Sequence, residues 1–579
     1  MTAALPSVTL AASLLALAAQ ANGQDPAGKT PVDAKPPAPA APATAEDFVE
    51  RARTQLAAIG YVVPATIHSE QRTKAEALAD LDAQQDLLMP ADSFAAQFAL
   101  LGAFRRPLPK DAAKLRKLTM VAMTQGLSAY YECRRKTFVM LDSTTRDVAE
   151  ALAGSLLPLV AHELVHACQD ARDGGIAGRF DPAHGTLDLA MARRCALEGE
   201  AEIASFLALQ GPDAASRLTA MRAASKVEGL LAGELTGLIY AVGRELALAR
   251  HAAGGLDAVR AVWQTPPAST EQVMHPAKYG VDVPTAVVLP AVDGCKAATR
   301  TTIGELLTFN VLRQIGVARD DAAIAAAGWD GDEMVVYEAD GQPGSVCAWR
   351  TVWDRAEDAA DFAGRIDGHE FGTVATAGRI VDFVAGPAEL RDRVAAVLQQ
   401  HREQPAEVAA DIASTVAAEA ELRANADHSA VEGSVWRLDD LGLSVPVPDG
   451  WRLEEINGLK MLIDPESAKR GFARNANVMA LPRGDAKDLA ALVEGNRAQL
   501  EQMHMTVDGI TTEKRGETEV LICEYHGKIG RMPAVHAILL IYLRGDQQVV
   551  MTATGKADAW DVDGPMLRKL IESVTIAPQ

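Results

Sequence analysis

Hydrophobic and polar positions first fall into a helical rhythm at FVERARTQLAAI (48–59), and ordered structure is expected to begin at Ala45-Glu46-Asp47. Residues 65 to 125 read as mostly helical, broken at Pro90 and Pro107. In LSAYYECRRKTFVML, two short β-prone runs flank Arg134-Arg135-Lys136 and predict a hairpin, with Thr137 to Leu141 as an edge strand. A long apolar helix is predicted over LLPLVAHELVHACQDARDG, and another over ARRCALEGEAEIASFLALQ. Residues 214 to 255 read as helix ending at Gly254-Gly255, and a loop-rich stretch, TPPASTEQVMHPAKY, comes after them. Residues 301 to 327 read as helix, DEMVVYE and SVCAWRTVW as paired strands, and 356 to 365 and 387 to 425 as helix. The last of these is expected to bridge to a separate domain.

From Ser434 the pattern changes. GLSVPVPDGW, KMLIDP, NVMALP, VLICEYHG, HAILLIYLRG and QVVMTATG are strand-like runs around two helices, 484 to 503 and 563 to 573. They predict an α+β unit of about 145 residues. The fold class expected for the whole chain is α+β.

Composition narrows the function classes. The chain has 579 residues and a net charge of -21, which argues against a nucleic-acid partner and against docking on an anionic membrane. Beyond the N-terminus, no stretch reaches the roughly 18 apolar residues of a membrane span. Leu10 to Ala19 is an apolar run of signal-peptide length, without the usual basic residues before it, and Ala19-Gln20-Ala21 fits a cleavage site. Residues 1–21 are therefore expected to be a signal peptide and 22–45 a Pro/Ala-rich linker, with the rest secreted or periplasmic. Six cysteines without a CxxC pair make a zinc–thiolate site unexpected.

The chemistry centres on HELVH at 162 to 166. Residues four apart share a helix face, so His162 and His166 can reach one ion, and Glu163 can approach a water on its open side. A third ligand is expected from ALEGEAE. Glu198 and Glu202 are four apart on one face and Glu200 points elsewhere. Glu198 is assigned as the ligand and Glu202 as the acceptor of a hydrogen bond from a ligand histidine. Gly328-Trp329-Asp330-Gly331-Asp332 lacks the twelve-residue ligand pattern of a calcium loop and reads as a turn opening a strand.

HELVHACQDARD, followed some thirty residues on by ALEGEAE, resembles the gluzincin-type zinc metallopeptidases. Within them it is most similar to a group of exported bacterial proteins with HEL-x-H-A-x-Q-D and an EG-(D/E)-A helix. AYYE…TFVML, PPASTEQVMHPAKY and AAAGWDGDEMVVYE also resemble that group, and the likeness covers roughly 46 to 400. It implies a mostly helical zincin-like domain with a small edge sheet at 46–300, an α+β extension and helical connector at 301–430, and a peptide or protein substrate. It implies Zn2+ on His162, His166 and Glu198, with Glu163 as general base and a substrate strand pairing along 137–141. His275 is the candidate oxyanion donor, with Tyr130 or Tyr131 as alternatives. Cys168 and Cys195 are either a disulfide that staples the two metal-bearing helices in an oxidising compartment or two buried free thiols. Residues 434–579 resemble the PsbP-like α/β sandwich found on envelope proteins, which implies a module that binds an envelope partner. The competing expectation is a peptidase fold without catalysis, used as a scaffold of the cell envelope.

Overall fold

The structure, a computed structural model, describes residues 45–83, a few positions between 95 and 103, 129–141, 156–172, 175–179, 185–210, 235–339, 344–367, 372–403, 405, 408–425, 429–456, 459–468, 472–483, parts of 488–500, 505–528 and 534–578. The expected signal segment, the linker up to residue 44 and most of the helical reading over 84–125 lie outside these residues.

Helix α1 (Ala45–Ala58), strand β1 (His68–Arg72) and helix α2 (Lys74–Ala83) precede the hairpin of β2 (Ala129–Glu132) and β3 (Thr137–Leu141). β1 pairs with β3 in parallel, so the sheet order is β1-β3-β2. Two expectations are corrected here. β3 is the central strand, buried at every position, and the edge beside the next helix is β2. Residues 68–72 are a strand and not helix; HSEQR carries no apolar side chain, and backbone pairing with β3, with an ion pair from Glu70 to Arg135, holds it extended.

Three long helices follow: α3 (Leu156–Asp170), α4 (Leu187–Gln210) and α5 (Leu235–Gln264), the last kinked at Gly254-Gly255. In α3, Pro158 stands in the first turn, where its missing N–H leaves no helical bond unmade. Val160, Ala161, Leu164 and Val165 of α3 are buried against α1 and the small sheet. α4 supplies Ala192 and Cys195 to one apolar cluster, Ala201 and Ala204 to a second, and Ile203 and Leu207 to a third. A helix enclosed on all sides is a pillar of the fold. It meets α5 at Gly199 and Gly243, where a Cβ on either would lie 2.0 Å from a backbone carbonyl oxygen of the other helix.

The short helix α6 (Thr270–Met274) is capped by Ser269, whose hydroxyl accepts from the Gln272 N–H. Beyond it come β4 (Cys295–Thr301), α7 (Glu305–Gln314), α8 (Arg319–Ala326), β5 (Trp329–Ala339), β6 (Ser345–Trp353), α9 (Ala356–Ile366), β7 (Gly372–Ala377), β8 (Ile380–Ala385), α10 (Ala388–Gln400) and α11 (Ala409–Asn425). The strands form an antiparallel sheet of order β4-β5-β6-β8-β7. One apolar cluster runs from Leu187, Cys195 and Val273 to Trp329, Trp349 and Phe383, so the core is continuous across residue 300. The helical reading of 387–425 divides into α10 and α11, with a break at 401–408. α11 is docked, not free. Thr415 Oγ donates to Asp354 at 2.5 Å and accepts from Lys278 at 2.9 Å. Lys278, fully buried, also reaches Glu271 (2.5 Å), Asp354 (3.1 Å) and Asp282 (3.2 Å).

The C-terminal region holds a four-stranded sheet of β9 (Ala430–Glu432), β10 (Val435–Leu438), β11 (Leu443–Pro446) and the terminal Thr575–Ile576 strand. Its seven-stranded antiparallel sheet contains β12 (Arg452–Ile456), β13 (Leu459–Ile463), β14 (Asn475–Pro482), β15 (Thr506–Arg515), β16 (Thr518–Gly527), β17 (Val535–Arg544) and β18 (Gln547–Lys556). Their order is β12-β13-β14-β18-β17-β16-β15. Helix α12 (Trp560–Ser573) covers one face, and a separate apolar cluster lines the other. Most of the expected helix 484–503 lies outside the described residues. An Arg313–Glu455 ion pair joins α7 to β12. The chain is thus a mixed α and β protein with several sheets and more than one domain. No described helix is long and apolar enough to cross a membrane.

Candidate metal centre

His162 and His166 stand one turn apart on α3, and Glu198 faces them from α4. All three are buried. His162 Nε2 lies 3.2 Å and His166 Nε2 3.4 Å from the same oxygen, Glu198 Oε2. Two donors on a tetrahedral zinc ion, each about 2.0–2.1 Å from it, stand about 3.3 Å apart. The donor types and spacings therefore fit a divalent ion, and these residues could hold one.

The outer nitrogen of each histidine faces a neighbour, which is a hydrogen-bond partner for His166 and a carboxylate beyond hydrogen-bond range for His162. His166 Nδ1 is 2.7 Å from Gln169 Oε1, one turn further along α3. The Gln169 amide in turn donates to the Leu197 carbonyl (2.9 Å) and to Glu200 (3.1 Å), tying α3 to α4. His162 Nδ1 lies 3.6 Å from Glu202 Oε1, and Arg244 of α5 holds the other Glu202 oxygen at 2.7 Å. Glu200 points away, accepting from Arg172 (2.6 Å) and from the Tyr61 hydroxyl (2.8 Å).

Burial pushes the Glu163 carboxyl up from the usual range, and the Tyr131 backbone N–H donates to it at 2.8 Å from the β2 edge. Burial would also raise Glu198, but hydrogen bonds from the two imidazoles hold it well below its usual value. Burial opposes a positive charge on His166, yet the Glu198 carboxylate outweighs it and lifts the imidazole to about 9. A proton and a metal ion compete for these nitrogens.

The other sequence candidates are held elsewhere. His275 Nε2 is 2.8 Å from Glu305, beside the buried Asp188–Thr270 pair. Asp188 precedes Glu198 by ten residues on α4, which is about 15 Å along a helix. The Tyr130 hydroxyl donates to Asp80 and the Tyr131 hydroxyl to Asp170. Of the two alternatives for Cys168 and Cys195, the structure has the buried free thiols, in different apolar clusters.

Three contributors were not foreseen. Gln169 is three residues after His166, a spacing that could have suggested it. Arg244 and Tyr240 come from α5, and no local pattern links that helix to HELVH. The Tyr240 ring stands 6.0 Å from that of His162, and its phenol pKa is raised, first by the Glu198 charge and then by burial. Its hydroxyl makes no hydrogen bond to another described residue.

The family model described as "Domain of unknown function (DUF8575)" matches residues 291–368, from the loop before β4 to the end of α9. No curated protein matches the chain. The solution structure of cyanobacterial PsbP (CyanoP) from Synechocystis sp. PCC 6803 is similar at 13% identity over 26% of this chain and 100% of that one, with a TM-score of 0.21. A Pseudomonas aeruginosa protein of unknown function, PA94, titled a putative regulator, is similar at 15% over 26% and 99%, with a TM-score of 0.19.

Proposed function

We propose that the chain is an exported zinc metallopeptidase that hydrolyses peptide bonds at the α3–α4 junction. One observation carries the reading: two imidazole nitrogens and a carboxylate from neighbouring helices converge on one point, with Glu163 beside them. When bound, zinc supplies Lewis acidity and lowers the pKa of a coordinated water toward about 7. Glu163, raised by burial, is suited to take a proton from the attacking water and return it to the leaving amine. Tyr240, whose ring stands beside His162 and whose hydroxyl has no hydrogen-bond partner among the described residues, is a better placed donor to the developing oxyanion than His275, which Glu305 occupies. β2, an edge strand of the described sheet beside Glu163, and not the central β3, is the side along which an extended substrate would pair. Export rests on the apolar run at 10–19, and the C-terminal unit is read as a module that engages an envelope partner.

The test is zinc quantification together with peptide-library cleavage, on wild type and Glu163→Gln side by side. The variant keeps its zinc and loses nearly all hydrolysis. Absence of turnover by the wild type, or equal activity in the variant, refutes the mechanism. Zinc without turnover would leave the alternative, a peptidase fold used as an envelope scaffold.

A further inference from the structure

A second cluster of metal-binding side chains lies in the C-terminal sheet. His526 on β16 and His536 on β17 are directly opposed in register. Asp508 sits at the bulge between Val507 and Gly509 on the edge strand β15, and such a bulge re-aims a side chain. On this face the apolar row under α12, with Val520, Ile538 and Leu540, gives way to Glu524, His526 and His536. Nothing in the packing of an antiparallel sheet requires two histidines and two carboxylates there.

The donor geometry is close. His526 Nδ1 lies 2.8 Å from Asp508 Oδ2 and 2.9 Å from Oδ1, and His536 Nε2 lies 3.1 Å from Asp508 Oδ2. His536 Nε2 is also 3.0 Å from Glu524 Oε1. This nitrogen is fully buried, yet meets neither carboxylate in the orientation of a hydrogen bond. A buried ring nitrogen among carboxylates and unbonded to them points to a missing partner. Its ring is fixed: Trp560 stacks on it with centroids 3.7 Å apart and planes 11° apart. The Trp560 indole donates to Glu524 at 3.2 Å, and Arg568 also donates to that carboxylate. Glu524 is thereby neutralised and held outside the ligand set.

We infer that Asp508, His526 and His536 form a second binding site for a late first-row divalent cation, of which Zn2+ is the representative. Two imidazoles and one carboxylate are a donor set for such metals, and calcium or magnesium would prefer oxygen alone. His526 and Asp508 are partly exposed, at 44% and 33%, so solvent completes the coordination. The ion would pin the edge strand β15 to its two neighbours. This site does not depend on the peptidase reading.

The test is Zn2+ stoichiometry and affinity on the metal-stripped full-length chain, with folding checked by circular dichroism. Asp508→Asn and His526→Ala each lose one equivalent that the wild type binds, with affinity at that site falling more than about 100-fold. In a His162→Ala/His166→Ala background one equivalent remains, and adding Asp508→Asn removes it. Wild-type stoichiometry in both single variants, or no zinc in a folded His162→Ala/His166→Ala protein, overturns the inference. If the α3–α4 centre binds no metal, the wild type takes up a single equivalent that Asp508→Asn abolishes and His162→Ala/His166→Ala retains, so the two failures are told apart.

Discussion

Replacing Gly199 by alanine tests the contact that brings α5 to the candidate metal centre. An added Cβ would lie 2.0 Å from the Gly243 carbonyl oxygen, 2.3 Å from its carbon and 3.1 Å from the Arg244 nitrogen. Restoring an ordinary contact of 3.4 Å from 2.0 Å requires ~1.4 Å of separation. All three obstacles are backbone atoms, so no side chain can rotate aside. Overpacking costs about 1–3 kcal/mol, and a rigid neighbour puts this site at the upper end. Alanine's helix preference over glycine returns about 1 kcal/mol, leaving a net loss of about 2 kcal/mol. The same movement draws Tyr240 and Arg244 away from His162 and Glu202, and a misplacement of about 1 Å near a reaction centre costs about 100-fold in rate. Urea denaturation followed by circular dichroism measures the first effect and peptide hydrolysis the second. Gly178→Ala is the control, because nothing lies within 4 Å of a Cβ there. A Gly199→Ala protein as stable as wild type, or more so, would mean that helix propensity alone governs the site and that the close crossing is wrong.

Four further outcomes are expected. Glu198→Ala removes the third donor and should abolish stoichiometric zinc at the α3–α4 centre while Asp508 and its neighbours keep theirs, as read by metal analysis. Gln169→Ala strips His166 of its brace and should weaken that zinc by about 10–100-fold in a competition titration with a chelator. Lys278→Met leaves three buried carboxylates without their cation and should cost about 3–5 kcal/mol in chemical denaturation. Burial raises the Asp188 carboxyl to about 7, above its unfolded value, so its contribution to stability is complete below about pH 4 and is lost as pH rises toward 7; the melting temperature of wild type relative to Asp188→Asn should therefore fall between pH 4 and 7, and a flat difference would contradict it.

What the sequence disclosed depended on whether the signal was local. His162, Glu163 and His166 were legible because a four-residue spacing has one geometric meaning on a helix. The β2–β3 hairpin and the C-terminal strands were legible from apolar alternation. β1 was not, because HSEQR is a strand only through its pairing with residues nearly seventy positions later. That one omission turned a central strand into an expected edge, and with it the strand expected to pair with substrate. β15 was missed for a related reason: TVDGITTEKR is a largely exposed edge with little alternation to read. Tyr240 and Arg244 were invisible because their role arises from a crossing of helices, for which two glycines were the only trace.

The docking of α11 limits how far the C-terminal unit can wander. Thr415 is locked to Asp354 and Lys278, and Glu419 to Arg355 at 2.6 Å, so the helix moves with the sheet beneath it. Only residues 426–429 separate the end of that helix from β9, a span of at most about 18 Å. On the proposed reading, a partner held by the C-terminal unit would be kept on a short leash, at an effective concentration that short linkers set in the millimolar range. Lengthening this segment would dilute any cooperation between the two halves without altering either one.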